Sequence, residues 1–410
     1  MKVRSIADDT LSNSNRTAGE DSSSPAKKSF NRRSFLRNTV VAGAAVTAGA
    51  AMLENIPSAL AEEGNGNLTR GDAAILKWLA AAEIIESDLW LQYQELAGIQ
   101  DDEVAKIASR IIRGYPAVAT GGSPAYTNAV SQLDGDMAQY IHDNTEDEFT
   151  HQTFINAFLI SKGHDPVNLE RFRILPSSKA TGANQVGRLT NLMQLTVDTT
   201  WWTRYRSRTG NPDLGDSFPP AIPTLGVNQH TAIPRTDADL NDPNFLQAIA
   251  NTAGFHFANI EVGGSSMYPS LAQRVSDVHV LRILLAIGPT ETSHFQTWHD
   301  KAGNAIPSPN GQPIIDPVTK VPVLFPDLTA AAVPPVGEDL QSNLIMPEPT
   351  VFFKGLPVCS IIRPTETKNA AQVALQGFVT TGAFVGQSKQ FMNFVTGLAV
   401  AADEARRGVS

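Results

Sequence analysis

The chain of 410 residues contains a single cysteine, Cys359, so no disulfide can form within it. Its formal net charge is −9, and the part after residue 61 lacks a block of basic residues. Such an acidic chain offers no electrostatic footprint for nucleic acid and has no attraction to anionic lipid. Stability must therefore come from a buried apolar core, from bound metal or from association. The length allows one large domain or two ordinary ones.

A long hydrophobic run is absent as well. The mildly apolar stretch 40–53 is too short and too rich in glycine and alanine to span a bilayer comfortably. It follows the segment NRRSFLR at 31–37 and precedes a small-x-small cleavage site at 59–61. Paired arginines before a weakly hydrophobic core resemble a twin-arginine export signal, although an ordinary secretory signal or an N-terminal anchor has similar features. We predict that the twin-arginine export machinery recognises residues 1–61. The cleaved protein would then be periplasmic or extracellular and free of the membrane.

The remaining sequence is dominated by helical periodicity. Apolar residues recur at steps of three and four, and helix-stopping residues separate the runs. We predict an all-α bundle over residues 72–302, followed by an extension, 303–410, that packs on the bundle. The predicted helices cover residues 73–96, 125–162, 184–206, 243–275 and 276–302, with a loop at 209–243, an irregular Pro-rich stretch with two short strands at 303–365, and a Gly-interrupted helical region at 369–407.

Two Glu-x-x-His pairs lie in the predicted long helices: Glu148 with His151, and Glu291 with His294. A three-residue step places both side chains of a pair on one helix face, where they can bind the same metal ion. The usual interpretation of such a pair is a surface salt bridge. Both pairs, however, lie in line with apolar residues, and buried charge is costly unless it is paired or bound to metal.

The other two long helices supply matching carboxylates. Glu261 is the only candidate on the helix that begins near residue 243, whereas the first helix offers both Glu83 and Glu86 on its apolar face. We prefer Glu86, because Tyr93 follows it after seven residues and Tyr268 follows Glu261 after the same interval. The order Glu-x6-Tyr, then Glu-x2-His, thus occurs twice along the chain.

A dinuclear metal site explains this order. Two divalent cations need about four negative ligands, and a Glu from each of two helices plus a Glu-x-x-His from each of two others is a known di-iron and di-manganese arrangement. Iron and manganese suit such oxygen-rich sites equally, so we predict two iron or manganese ions. The predicted ligands are Glu86, Glu148, His151, Glu261, Glu291 and His294, with Glu83 as the alternative to Glu86, and with Tyr93 and Tyr268 hydrogen-bonded to ligands.

On this ligand order, residues 72–302 resemble the ferritin-like superfamily. The doublet Glu83-x-x-Glu86 is similar to that of its exported branch, the desiccation-related ferritin-like proteins. The resemblance implies a ferritin-like four-helix bundle with extra helices. It also implies that Glu86 and Glu261 are terminal or bridging ligands, and that the two Glu-x-x-His pairs complete the cage. The pair Gly288-Pro289, just before Glu291, is expected to kink the last bundle helix or to restart it.

Two classes of function remain open from the sequence. The first is a redox enzyme that uses oxygen or peroxide, whether for ferrous oxidation, peroxide removal or oxidation of an organic substrate. The second is a non-catalytic protective or structural exported protein whose bundle binds metal only for stability or not at all. A storage cage is disfavoured, because the insertions at 163–243 and the tail at 303–410 would crowd the packing of cage subunits. The sequence leaves the oligomeric state open.

Overall fold

The computed structural model describes residues 68–205, 217–328, 345–346, 359–360 and 368–408. All of them belong to one compact unit, residues 43–410. The predicted export signal at 1–61 lies outside the described residues. Within the described ranges, no helix is both long enough and apolar enough to cross a membrane.

The described chain is mostly helical, which confirms the all-α class. Its four long helices pack in two pairs, α1 with α4 and α6 with α7. The helices are α1 (Arg70–Ala97), α2 (Glu103–Ile111), α3 (Pro124–Val130), α4 (Met137–Ser161), α5 (Thr200–Arg204), α6 (Pro243–Ala272), α7 (Val278–Ala302), α8 (Ala370–Thr380) and α9 (Lys389–Glu404). Two antiparallel ribbons join β1 (Ile314–Ile315) with β2 (Pro322–Val323) and β3 (Ile345–Met346) with β4 (Cys359–Ser360).

Polar side chains set where the long helices begin. The hydroxyl of Thr69 accepts a hydrogen bond from the backbone N–H of Asp72 at the start of α1. Asp242 and Asp277 cap α6 and α7 in the same way. The buried carboxylate of Asp72 also accepts from the backbone N–H groups of Ser276 and Asp277. This contact ties the first turn of α1 to the connection between α6 and α7.

Two predicted helices differ from the structure. The helix predicted over 125–162 is divided into α3 and α4 by a break at residues 131–136. The helix predicted over 184–206 is wrong for residues 184–199, which are irregular up to the short α5. Buried anchors on α1 hold this segment in place. The carboxylate of Asp88 accepts from the backbone N–H groups of Leu189 and Thr190, and Arg188 forms an ion pair with Glu95.

The last two helices cover the long ones. Helix α9 packs on α1 and α8 packs on α6, so 24 of the 28 residues of α1 are buried. The buried carboxylate of Asp403 accepts from the backbone N–H groups at the start of α8 and from Arg274 after α6. The predicted helical region 369–407 is interrupted at Gly382 and Gly386, whose φ angles of 79° and 95° favour glycine.

Glycines set the close contact between α6 and α7. A Cβ atom on Gly288 would lie 2.8 Å from the Cβ of Tyr268, and one on Gly264 would lie 2.5 Å from Oε2 of Glu291. The two helices therefore approach more closely than side chains at these positions would allow. The predicted restart at Gly288-Pro289 does not occur, because α7 runs through Pro289 as one element.

Candidate metal centre

The four long helices direct their glutamates and histidines into one buried cage. Two groups of four side chains can each hold a cation, because their oxygen and nitrogen atoms lie within 4.8 Å of one another. The first group is Glu83, Glu148, His151 and Glu291, and the second is Glu148, Glu261, Glu291 and His294. The groups share two glutamates, one from α4 and one from α7.

The shared Glu148 directs one oxygen to each half of the cage. Its Oε2 lies 3.3 Å from Nδ1 of His151, and its Oε1 lies 3.3 Å from Nδ1 of His294. Nδ1 of His151 also lies 3.3 Å from Oε2 of Glu83 and 3.1 Å from Oε1 of Glu291. One imidazole N–H cannot satisfy three carboxylates, whereas a cation between them can contact all of these atoms at once.

Burial strengthens the case for a cation. The four glutamate side chains of the cage are 0% exposed, and those of His151 and His294 are 10% and 12% exposed. Five of their atoms are buried without a hydrogen-bond partner. These are Oε2 of Glu83, Oε2 of Glu261, both carboxylate oxygens of Glu291 and Nδ1 of His294. Unpaired buried polar atoms of this kind are rare unless an ion or water satisfies them, so the residues fit a metal.

The pKa shifts show how strongly the cage resists negative charge. Burial raises the pKa of Glu83 to about 7, and burial together with the charge of Glu148 raises that of Glu291. Burial also acts to raise the pKa of Glu148, but the hydrogen bond from His151 and the charges of His151 and His294 hold it below its usual range. Without further positive charge, the carboxylates must therefore share protons.

Glu86, the preferred ligand on the first helix, contributes no atom to either group, and Glu83 takes its place. Glu86 is buried close by, where burial and the charges of Glu291 and Glu83 raise its pKa. The tyrosine chosen with it does not contact a ligand either. The hydroxyl of Tyr93 is hydrogen-bonded to Nδ1 of His256 at 2.8 Å. The interval from Glu86 to Tyr93 therefore joins two residues outside both groups.

The same seven-residue interval, started one turn earlier on α1, joins two residues that contact the cage. The indole Nε1 of Trp90 donates to Oε1 of Glu261 at 2.7 Å, and the hydroxyl of Tyr268 donates to Oε1 of Glu83. Trp90 follows Glu83 by seven residues, as Tyr268 follows Glu261. Each of these two helices thus holds the glutamate of the other, and the two halves of the cage repeat each other. The Glu-x6-Tyr interval does not indicate Trp90, because position 90 carries tryptophan in place of tyrosine.

Asn144 is a further residue that the sequence search missed. Its amide Nδ2 donates to Oε1 of Glu148 at 2.9 Å and to Oε1 of Glu261 at 3.2 Å. Trp298 donates to the amide oxygen of Asn144 at 2.7 Å, which fixes the direction of the amide. Asn144 lies one helical turn before Glu148, on the same face, so its position could have been noticed.

Asp147 is only partly buried and contacts the cage from outside. Its Oδ2 lies 3.2 Å from Nε2 of His294, and its side chain is 31% exposed. If Nε2 carries the proton, Nδ1 of His294 is free to bind a cation. By accepting a hydrogen bond from this N–H, Asp147 favours the tautomer of His294 whose Nδ1 can bind a metal.

His142 lies outside the cage. Its ring nitrogens lie 3.1 Å from Asp101 and 3.4 Å from Asp143, in partly exposed groups that also include Glu103 and Glu146. The cage differs from this cluster because its glutamates are fully buried.

Comparisons with known proteins add no assignment. No protein-family model matches the chain, and neither a curated protein nor a solved structure matches it. The geometry alone defines the class: a helical protein with buried glutamate and histidine groups that can hold metal ions.

Proposed function

We propose that this protein is an exported ferritin-like metalloprotein that binds two iron or manganese ions and carries out redox chemistry with oxygen or peroxide. The observation that carries the proposal is the pair of four-residue groups with Glu148 and Glu291 in common. Shared carboxylates hold two cations close together. Four glutamates and two neutral imidazoles also match the charge of two divalent ions.

When bound, a pair of iron or manganese ions would supply the electrons for reduction of oxygen or peroxide. The side chains orient the ligands and exclude water. Trp90 and Tyr268 hold the two terminal glutamates, and Asn144 holds one shared and one terminal carboxylate. Ligands fixed in this way need little rearrangement when charge changes at the site.

Burial limits the size of the substrate. The cage glutamates are fully covered, and of the six cage residues only His151 and His294 are partly exposed. Helices α8 and α9 cover α6 and α1. This arrangement favours small reactants such as oxygen, peroxide or ferrous ion over oxidation of a large organic substrate.

The alternative proposal is a protective or structural protein whose metal serves stability. The cage residues lie between positions 83 and 294, so bound cations would tie the pair α1 and α4 to the pair α6 and α7, which is distant from it in the chain. Metal that binds only the folded chain contributes its binding free energy to folding. This contribution would suit a chain that cannot form an internal disulfide.

Elemental analysis of the purified protein tests the proposal first. We expect about two iron or manganese ions per chain. The loaded protein should consume hydrogen peroxide, or oxygen in the presence of ferrous ion, faster than a sample whose metal was removed by chelator. Two ions without turnover would favour the stability role, which a lower melting temperature after chelation would confirm. A chain that takes up neither metal on reconstitution would contradict the metal site and would leave a structural role without metal.

Export by the twin-arginine route is part of the proposal and has its own test. Arg32 and Arg33 form the pair that the export machinery would read. Expressed in a bacterial host with this export route, the protein should appear outside the cytoplasm with Glu62 as its first residue, as shown by mass spectrometry. The double variant Arg32→Lys/Arg33→Lys should remain in the cytoplasm uncleaved. Export of this variant at the normal level would instead indicate an ordinary secretory signal.

A further inference from the structure

The two halves of the cage repeat each other, but they are not equivalent. Oε1 of Glu261 accepts from Trp90 and from Asn144, whereas Oε1 of Glu83 accepts from Tyr268. Asn144 lies one turn before Glu148 on α4. The corresponding position on α7, one turn before Glu291, is Ile287, whose side chain cannot donate a hydrogen bond. The half that contains Glu261 is therefore held by more hydrogen bonds.

The two cage histidines also differ, and the additional contact again belongs to the half that contains Glu261. Nε2 of His294 faces the carboxylate of Asp147 at 3.2 Å. Among the described residues, His151 has only cage carboxylates as polar contacts, all of them through Nδ1. A carboxylate behind a histidine ligand fixes its proton and orientation and makes it a stronger metal ligand.

The repeat shows which residue takes the place of Asp147 in the other half. Asp147 immediately precedes Glu148, and Thr290 immediately precedes Glu291. The Thr290 side chain cannot act as a carboxylate, and its hydroxyl donates to the backbone carbonyl of Ala286 within the same helix. The difference between the two histidines thus comes down to one pair of corresponding positions.

We propose that Asp147 makes the position formed by Glu261 and His294 the tighter of two metal positions, and that the position formed by Glu83 and His151 is the weaker and exchangeable one. This inference rests on the proposed dinuclear site. Asp147 is a positioning residue, since it acts on the metal through His294. The first cation would therefore bind at the position with His294, and the second would exchange at the position with His151.

The test is a titration of the metal-free full-length protein with Mn²⁺, and with Fe²⁺ without oxygen, followed by calorimetry. Two binding steps are expected in the unaltered protein. The variant His151→Ala should keep the tight step and lose the weak one, and His294→Ala should do the reverse. Circular dichroism of each variant checks that the helices remain folded.

The decisive pair of variants exchanges the two corresponding side chains. Asp147→Asn keeps the shape of the residue, and it should weaken the tight step about 10- to 100-fold while leaving the weak step unchanged. Thr290→Asp should strengthen the weak step. Position 290 corresponds to position 147 in the repeat, so the new carboxylate should lie behind His151 as Asp147 lies behind His294.

Four results would overturn the inference. Equal weakening of both steps by Asp147→Asn would show a general effect of charge, and no weakening would show that the contact with His294 does not matter. Loss of the weak step alone in His294→Ala would reverse the assignment. Binding of neither metal by the unaltered protein would also contradict the proposed function, whereas the other results would leave that function standing.

Discussion

Glu148→Gln and Glu291→Gln should each reduce bound metal from about two ions per chain to nearly none. Each of these carboxylates belongs to both groups of the cage, so replacing one removes a ligand and a negative charge from both cations. Glutamine keeps the size of the side chain, so the loss would not arise from a cavity. The measurement is elemental analysis after reconstitution with excess iron or manganese and removal of the free metal.

Glu86→Gln is the matched control for these variants. Glu86 is as buried as the cage glutamates and lies three residues from Glu83, but it gives no atom to either group. Its raised pKa favours the protonated carboxyl, which glutamine resembles closely. This variant should keep both ions, whereas Glu83→Gln should lose one. Loss of metal in Glu86→Gln with retention in Glu83→Gln would restore the ligand choice made from the sequence.

Arg188→Met should lower the free energy of unfolding by about 3–5 kcal/mol, since it leaves a buried carboxylate without its cation. Nη2 of Arg188 lies 2.7 and 2.6 Å from the two oxygens of Glu95, and Nε donates to Ser177 at 2.8 Å. The pair joins α1 to the irregular segment that precedes α5. Denaturant unfolding of the metal-free protein measures the loss without a contribution from metal binding.

A surface pair of the same charges provides the comparison. Lys106 and Asp102 lie 3.6 Å apart with side chains 54% and 40% exposed, so Lys106→Met should change stability by no more than about 0.5 kcal/mol. The double variant Arg188→Met/Glu95→Gln should recover part of the loss, because no unpaired charge stays buried. Equal unfolding midpoints for Arg188→Met and Lys106→Met would show that the buried pair contributes no more than a surface pair.

The helices and most of the cage could be predicted from the sequence. The apolar stripes of α1, α6 and α7 mark faces that must be buried, and the predicted ends of α1, residues 73 and 96, lie close to the observed Arg70 and Ala97. Charged residues on such stripes require compensation. For that reason Glu148, His151, Glu261, Glu291 and His294 were recognised, and the structure brings all of them together.

The choice between Glu83 and Glu86 could not be made in the same way. A stripe identifies a buried face only when the opposite face is exposed, and α9 covers α1 so that nearly every position of α1 is buried. The irregular segment before α5 was missed for a related reason. Its apolar spacing suits a helix, but backbone contacts with Asp88 hold it in another shape, and such tertiary contacts override local preference.

The order of the helices along the chain also determines the order of events during synthesis. Helix α1 leaves the ribosome first among the described helices, and α9, which covers it, leaves last. The cage needs residues from α1 to α7, so it can close around a cation only after α7 has been made. Under the proposed export route, which carries folded proteins, the metal would be chosen in the cytoplasm and not in the compartment where the protein works.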